Sequence, residues 1–208
     1  AAGLEAYCTR HPGKRSTGIE CFGRLWGSYT ENARSGSLIV KSMTVDTSAR
    51  MNNGWTENNQ DTQALKMQVA ELFAHRFQYL GDFHTHPYQQ NEKNIQLTAQ
   101  EVRKQELFCF SDADVENSLL SLPIEGSDRM LSIVLTLFRM SRVNTELDGR
   151  INENTLEFSV GNVKCWLRAQ VYNVTDQVAE RTVIEADHAE WFGLMSSDFR
   201  HNAGLANA

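Results

Sequence analysis

The stretch Gly81-Asp82-Phe83-His84-Thr85-His86-Pro87 constrains the fold more than any other part of the chain. The run from Phe77 to Phe83 is apolar and aromatic enough to form a buried strand. Strand side chains return to the same face at every second position. His84 and His86 therefore present two imidazoles side by side, as two ligands of one metal ion require. Pro87 cannot donate to a ladder, and it is expected to stop the strand and send the chain outward. A His-x-His pair on its own is more often a chance polar pair than a metal site. The missing groups must come from elsewhere in the sequence.

Composition limits what those groups can serve. The chain has 208 residues, of which 41% are hydrophobic, enough for one domain with a proper core and too many for general disorder. A net charge of −6 with no basic block argues against a phosphate-binding surface, so no nucleic-acid partner is expected. No run approaches the roughly 20 apolar residues of a membrane span, and no signal-peptide pattern is visible. Cys8, Cys21, Cys109 and Cys165 lie far apart with no C-x-x-C. They read as ordinary thiols of a reducing compartment, and a cytoplasmic location is the expectation.

In chain order, residues 1–17 read as a polar, turn-rich lead-in. Thr17–Tyr29 is a strand punctuated by glycines, a sign of close backbone approach or a bend. Ser37–Val45 is a second strand, joined to the first as a hairpin across the Glu31–Gly36 region. Leu65, Val69, Leu72, Phe73 and Phe77 recur at helical spacing after an N-cap at Asp61 or Thr62. A polar loop follows the His-x-His strand. A short charged helix over Thr98–Leu107, capped by Thr98 with Glu101, comes next. Ser111 has the chemistry of an N-cap for a helix to about Leu122. Met130–Met140, Leu156–Val160 and Val163–Val174 read as strands, with a turn at Leu147-Asp148-Gly149. Residues 176–208 read as one helix around Ala186–Met195 and a tail. The alternation of helix and strand predicts an α/β layered domain.

Glu20 with Gly23, Leu25 and Gly27, then His84-Thr85-His86-Pro87, then Ser111-x-x-Asp114, resembles the signature of the JAMM (JAB/MPN-plus) zinc metalloproteases of the prokaryotic type. The likeness covers about residues 18–140. It implies a single α/β domain over residues 18–175, a mixed, curved sheet flanked by helices. It also implies an insertion at about 88–110, because residues 87–110 separate His86 from Ser111, a longer gap than the family usually has. Inside that insertion Thr98-x-x-Glu101 competes with Ser111-x-x-Asp114 for the signature. Ser111 and Asp114 are preferred because both residue types match.

By this resemblance His84, His86 and Asp114 are the metal ligands. Three protein ligands leave a fourth position of zinc open for water, the layout of a catalytic rather than a structural site. Glu20, outside the ligand set, would serve as general base and then general acid. The Ser111 hydroxyl would donate to the oxyanion of the tetrahedral intermediate. The implied substrate is a ubiquitin-like protein or related peptide, cut at its C-terminal tail. Two other readings stay open: a non-catalytic scaffold of the same fold, and a DNA-associated protein resembling RadC. His11, His75, His188 and His201 lack partners at ligand spacing and are expected at the surface. The four tryptophans are expected in the core or facing a partner.

Overall fold

A computed structural model describes residues 20–31, 36–45, 50–51, 56–57, 77–88, 91–92 and 95–185. The lead-in, the expected helix from Asp61 and the helix around Ala186–Met195 lie outside the described residues. Twelve strands and two helices are described. The strands are β1 (Phe22–Glu31), β2 (Gly36–Val45), β3 (Arg50–Met51), β4 (Thr56–Glu57), β5 (Gln78–Tyr88), β6 (Asn91–Glu92), β7 (Ile95–Gln96), β8 (Arg129–Arg139), β9 (Gly149–Asn152), β10 (Thr155–Val160), β11 (Val163–Asn173) and β12 (Val178–Glu180). The helices, both between β7 and β8, are α1 (Ala99–Lys104) and α2 (Asp112–Leu119). The domain is mixed α/β and mostly strand.

Eight strands form one sheet in the order β2-β1-β5-β8-β11-β10-β9, with β12 also paired to β11. All its pairings are antiparallel except β5 with β8, which run parallel. A parallel pair needs a crossover, and here the crossover carries both helices. The expected hairpin forms, with Glu31 opposite Gly36.

Three boundaries differ from the sequence expectation. β1 starts at Phe22, so Glu20 stands two residues ahead of it. β5 does not stop at Pro87 but runs to Tyr88, with Pro87 in register with Leu137 of β8. Thr85 turns its N–H to the Cys21 carbonyl on the β1 side, so two residues later the nitrogen of Pro87 faces that same side. β1 has not begun there, and no ladder bond is lost. Residues 176–185, expected as part of a C-terminal helix and tail, instead contribute β12, and Ile184 packs into the core.

One face of the sheet buries Cys21, Leu25, Phe83 and Leu131 together with Ile124. On the other, Phe138 and Trp166 are roofed by Leu97, Val102 and Phe108. Val102 and Phe108 are almost wholly buried, each contributing about 1.5–3 kcal/mol, which anchors the inserted segment to the sheet. Gly81 sets how closely β5 and β8 approach. Its φ is +147°, and a Cβ there would lie 1.8 Å from the Leu131 carbonyl oxygen.

Candidate metal centre

The strand period places His84 and His86 on one face of β5, and Thr85 on the other. Thr85 is fully buried and clamps the chain ahead of β1: its Oγ1 accepts the Cys21 N–H at 2.8 Å, and its own N–H donates to the Cys21 carbonyl at 3.0 Å. This pair of hydrogen bonds holds Glu20, the neighbour of Cys21, at the mouth of the histidine strand. Glu20 is itself mostly buried and lines the same cleft as both histidines.

The two imidazoles tilt toward one another, with ring centroids 4.9 Å apart. Their Nε2 atoms are 3.1 Å apart. Asp114, in the first turn of α2, places Oδ1 3.2 Å from His84 Nε2 and Oδ2 3.3 Å from His86 Nε2. A tetrahedral ion with bonds of about 2.0–2.1 Å sets its donors about 3.3 Å apart. The spacing of the two Nε2 atoms is close to such an edge, and each Asp114 oxygen stands at about that distance from one of the two nitrogens. Among the described residues, His84, His86 and Asp114 form the group of donors that could hold a metal ion.

The N-cap of α2 aims the carboxylate. Ser111 donates to Asp114 Oδ2 from its backbone N–H and from its hydroxyl, both at 2.7 Å, while the Asp114 N–H donates back to Ser111 Oγ. The capping box therefore fixes the helix start and the ligand together. Burial on its own would raise the Asp114 carboxyl, but hydrogen bonds from His84, His86 and Ser111 outweigh it and hold the group well below the usual carboxylate range.

Thr98 and Glu101 form the same kind of box at α1, with Glu101 Oε2 2.7 Å from the Thr98 N–H. That carboxylate is turned back on its own cap, and Glu101 is not in the donor group. Of the two competing motifs, the fold brings Ser111 and Asp114 to the histidines.

The cleft has a volume of about 340 Å³ and is also lined by Phe22, Asp82 and Ser132. Asp82 was hidden within an apolar strand; its signal was its place two residues before His84, on the same face. In register it sits between Arg24 of β1 and Ser132 of β8. A larger concavity of about 430 Å³ lies on the outer side of α2, against Asp112, Val115, Glu116 and Leu119. It holds no histidine; the candidate donor group lines the smaller one.

Of the remaining candidates, His11, His75, His188 and His201 fall outside the described residues, as do Trp55, Trp191 and Cys8. Trp26 and Trp166 are core residues, and Cys21, Cys109 and Cys165 are free thiols. Among the described residues no helix is long and apolar enough to cross a membrane. No protein-family model matches the sequence, and no curated protein matches it either.

Proposed function

We propose that the chain is a zinc-dependent peptidase or isopeptidase that cuts at the C-terminal tail of a ubiquitin-like protein or a related peptide. One observation carries the reading: two histidine nitrogens and a carboxylate gathered close enough to hold one metal ion, with a buried glutamate lining the same cleft. The substrate class rests on the resemblance in sequence; the site supports the hydrolytic chemistry. His84, His86 and Asp114 would hold the zinc, which would supply Lewis acidity and lower the pKa of bound water toward neutrality.

The chain's own residues do the rest. Glu20 takes the proton of the attacking water and returns it to the leaving amine, and its place outside the donor group suits it to both transfers. The Ser111 hydroxyl donates its hydrogen bond to Asp114 in this state, so its first task is to hold that carboxylate. Donation to the oxyanion requires the hydroxyl to turn away from Asp114, leaving the backbone N–H in place as the carboxylate's anchor.

The test is metal analysis of purified protein together with cleavage of ubiquitin-like fusions. About one zinc per chain and turnover are expected, with both lost in His84→Ala. Glu20→Gln should keep its zinc and lose turnover by at least about 100-fold. Full hydrolysis by that variant would remove Glu20 from the mechanism.

A further inference from the structure

His86 turns Nε2 toward Asp114 and His84, so Nδ1 lies on the rear of the ring. Nδ1 is buried and makes no hydrogen bond among the described residues. A histidine that ligates through Nε2 carries its proton on Nδ1, and such histidines almost always give that proton to an acceptor that fixes the ring.

The residue beside His86 on β8 is Thr136, its register partner. Thr136 is fully buried, and its hydroxyl has no hydrogen-bond partner among the described residues. The row continues across the sheet: Thr136 pairs with Trp166 of β11, and Trp166 with Glu157 of β10. Register partners share a face, with Cβ atoms about 4.5–5.5 Å apart. Trp166 Nε1 and Glu157 Oε2 are likewise buried without a hydrogen bond. Buried polar atoms in this state are rare, and four of them in consecutive register form a pattern.

Their chemistry alternates along the row: imidazole N–H donor, hydroxyl oxygen, indole N–H donor, carboxyl oxygen. Burial pushes the Glu157 carboxyl up, and the Lys164 ammonium, Arg103 and the nearby Trp166 indole oppose it. The far end is held as well, since Glu157 Oε1 meets the buried Lys164 ammonium at 3.1 Å and Arg103 Nε stands 3.6 Å from Oε2. Two couples result, Trp166 with Glu157 and His86 with Thr136. The row is closed to solvent by Phe108, whose ring stacks on Trp166 with centroids 6.4 Å apart.

We propose that Thr136 is a positioning residue of the metal centre: its hydroxyl oxygen accepts the Nδ1–H of His86 and so fixes the tautomer and the ring plane that aim Nε2 at the ion. Hydrogen bonds of this kind are commonly loose in a ligand-free site and tighten on loading. The proposal rests on the metal-site reading above and is independent of the substrate.

The experiment is a chelator-competition titration of zinc into the full chain, the Thr136→Val variant and the Thr136→Ser variant, with thermal unfolding of each metal-free protein alongside. Valine keeps the shape and removes a buried hydroxyl that has no hydrogen-bond partner among the described residues, so unfolding should be unchanged or slightly higher in temperature. Zinc affinity should fall about 10–100-fold in Thr136→Val and stay near that of the unsubstituted protein in Thr136→Ser. Unchanged affinity in Thr136→Val overturns the proposal, as does an equal loss in both variants. If Thr136→Val does not fold, a slowly exchanging Nδ1 proton of His86 in nitrogen-15 spectra of the zinc-loaded, unsubstituted protein decides. A fast-exchanging proton overturns the assignment. Failure of the unsubstituted protein to bind zinc overturns the metal reading itself, a separate result.

Discussion

Asp114 and Glu101 close the same kind of helix cap, and only one of them stands beside histidines. Asp114→Asn should lower zinc content sharply, because a neutral amide oxygen replaces an anionic donor. Glu101→Gln should leave it unchanged, since glutamine still completes a capping box. Metal content of the two variants, each checked for folding by circular dichroism, measures the difference; loss in the Glu101 variant alone would reverse the assignment. The histidines were legible in the sequence because a period of two needs no tertiary knowledge. The choice between two carboxylates rested in the sequence on residue types alone, since both motifs satisfy the same local capping rule; the fold adds the reason, by setting Asp114 beside both histidines. Thr136 was less legible still, one of two hydroxyls, with Ser132, within the otherwise apolar run Leu131–Phe138.

Among the elements, the β5–β8 pair has the least tolerance. Gly81→Ala puts a methyl group against the Leu131 backbone at a φ that L residues rarely adopt, and more than about 3 kcal/mol of stability should be lost. Gly126 also has a positive φ, +75°, but a methyl group there would meet nothing within 4 Å, so Gly126→Ala should cost only about 1–2 kcal/mol. Denaturant midpoints of the two variants give the comparison; equal shifts would mean that contact with β8 is not what demands glycine at 81. Glycines at close approaches and the strand over Arg129–Arg139 could be read from pattern alone. The continuation of β5 through Pro87 could not, because it depends on which neighbour each backbone nitrogen faces. β9 and β12 escaped notice for another reason: they are four and three residues long, too short to show a period.

At the scale of the whole molecule, β8 joins two antiparallel wings, and Arg129 ties them at one end. Its guanidinium donates to Glu180 on β12, to Tyr29 on β1 at 2.7 Å, and to Glu31. Burial pushes the Cys165 thiol on the β11 wing up to about 12, aided by the nearby Asp148 carboxylate. With the folded value raised, the native state keeps a proton that the unfolded chain gives up from about pH 8.5. Cys165 therefore contributes its full stability below that pH, and the contribution declines as pH rises toward 12. Unfolding free energies between pH 8 and 10 should fall less steeply in Cys165→Ala than in the unsubstituted protein; parallel slopes would remove the thiol from the account. The mixed α/β class agrees with the expectation, although the helix from Asp61 on which that expectation rested lies outside the described residues. The single parallel pairing that defines this sheet was not legible, since no local pattern records which strands meet.

That pairing also bears on how long the folded protein lasts. β5 and β8 meet only after the whole crossover has closed, a slow, long-range event. His84 and His86 come from one side of that closure and Asp114 from the crossover itself. An ion held by all three would tie β5 to the crossover. If that contact forms after the folding transition state, its effect would fall on the rate of escape from the native state rather than on the rate of arrival. Zinc at this site would then lengthen the lifetime of the folded chain, a kinetic lock set by the one strand pair that runs in the same direction.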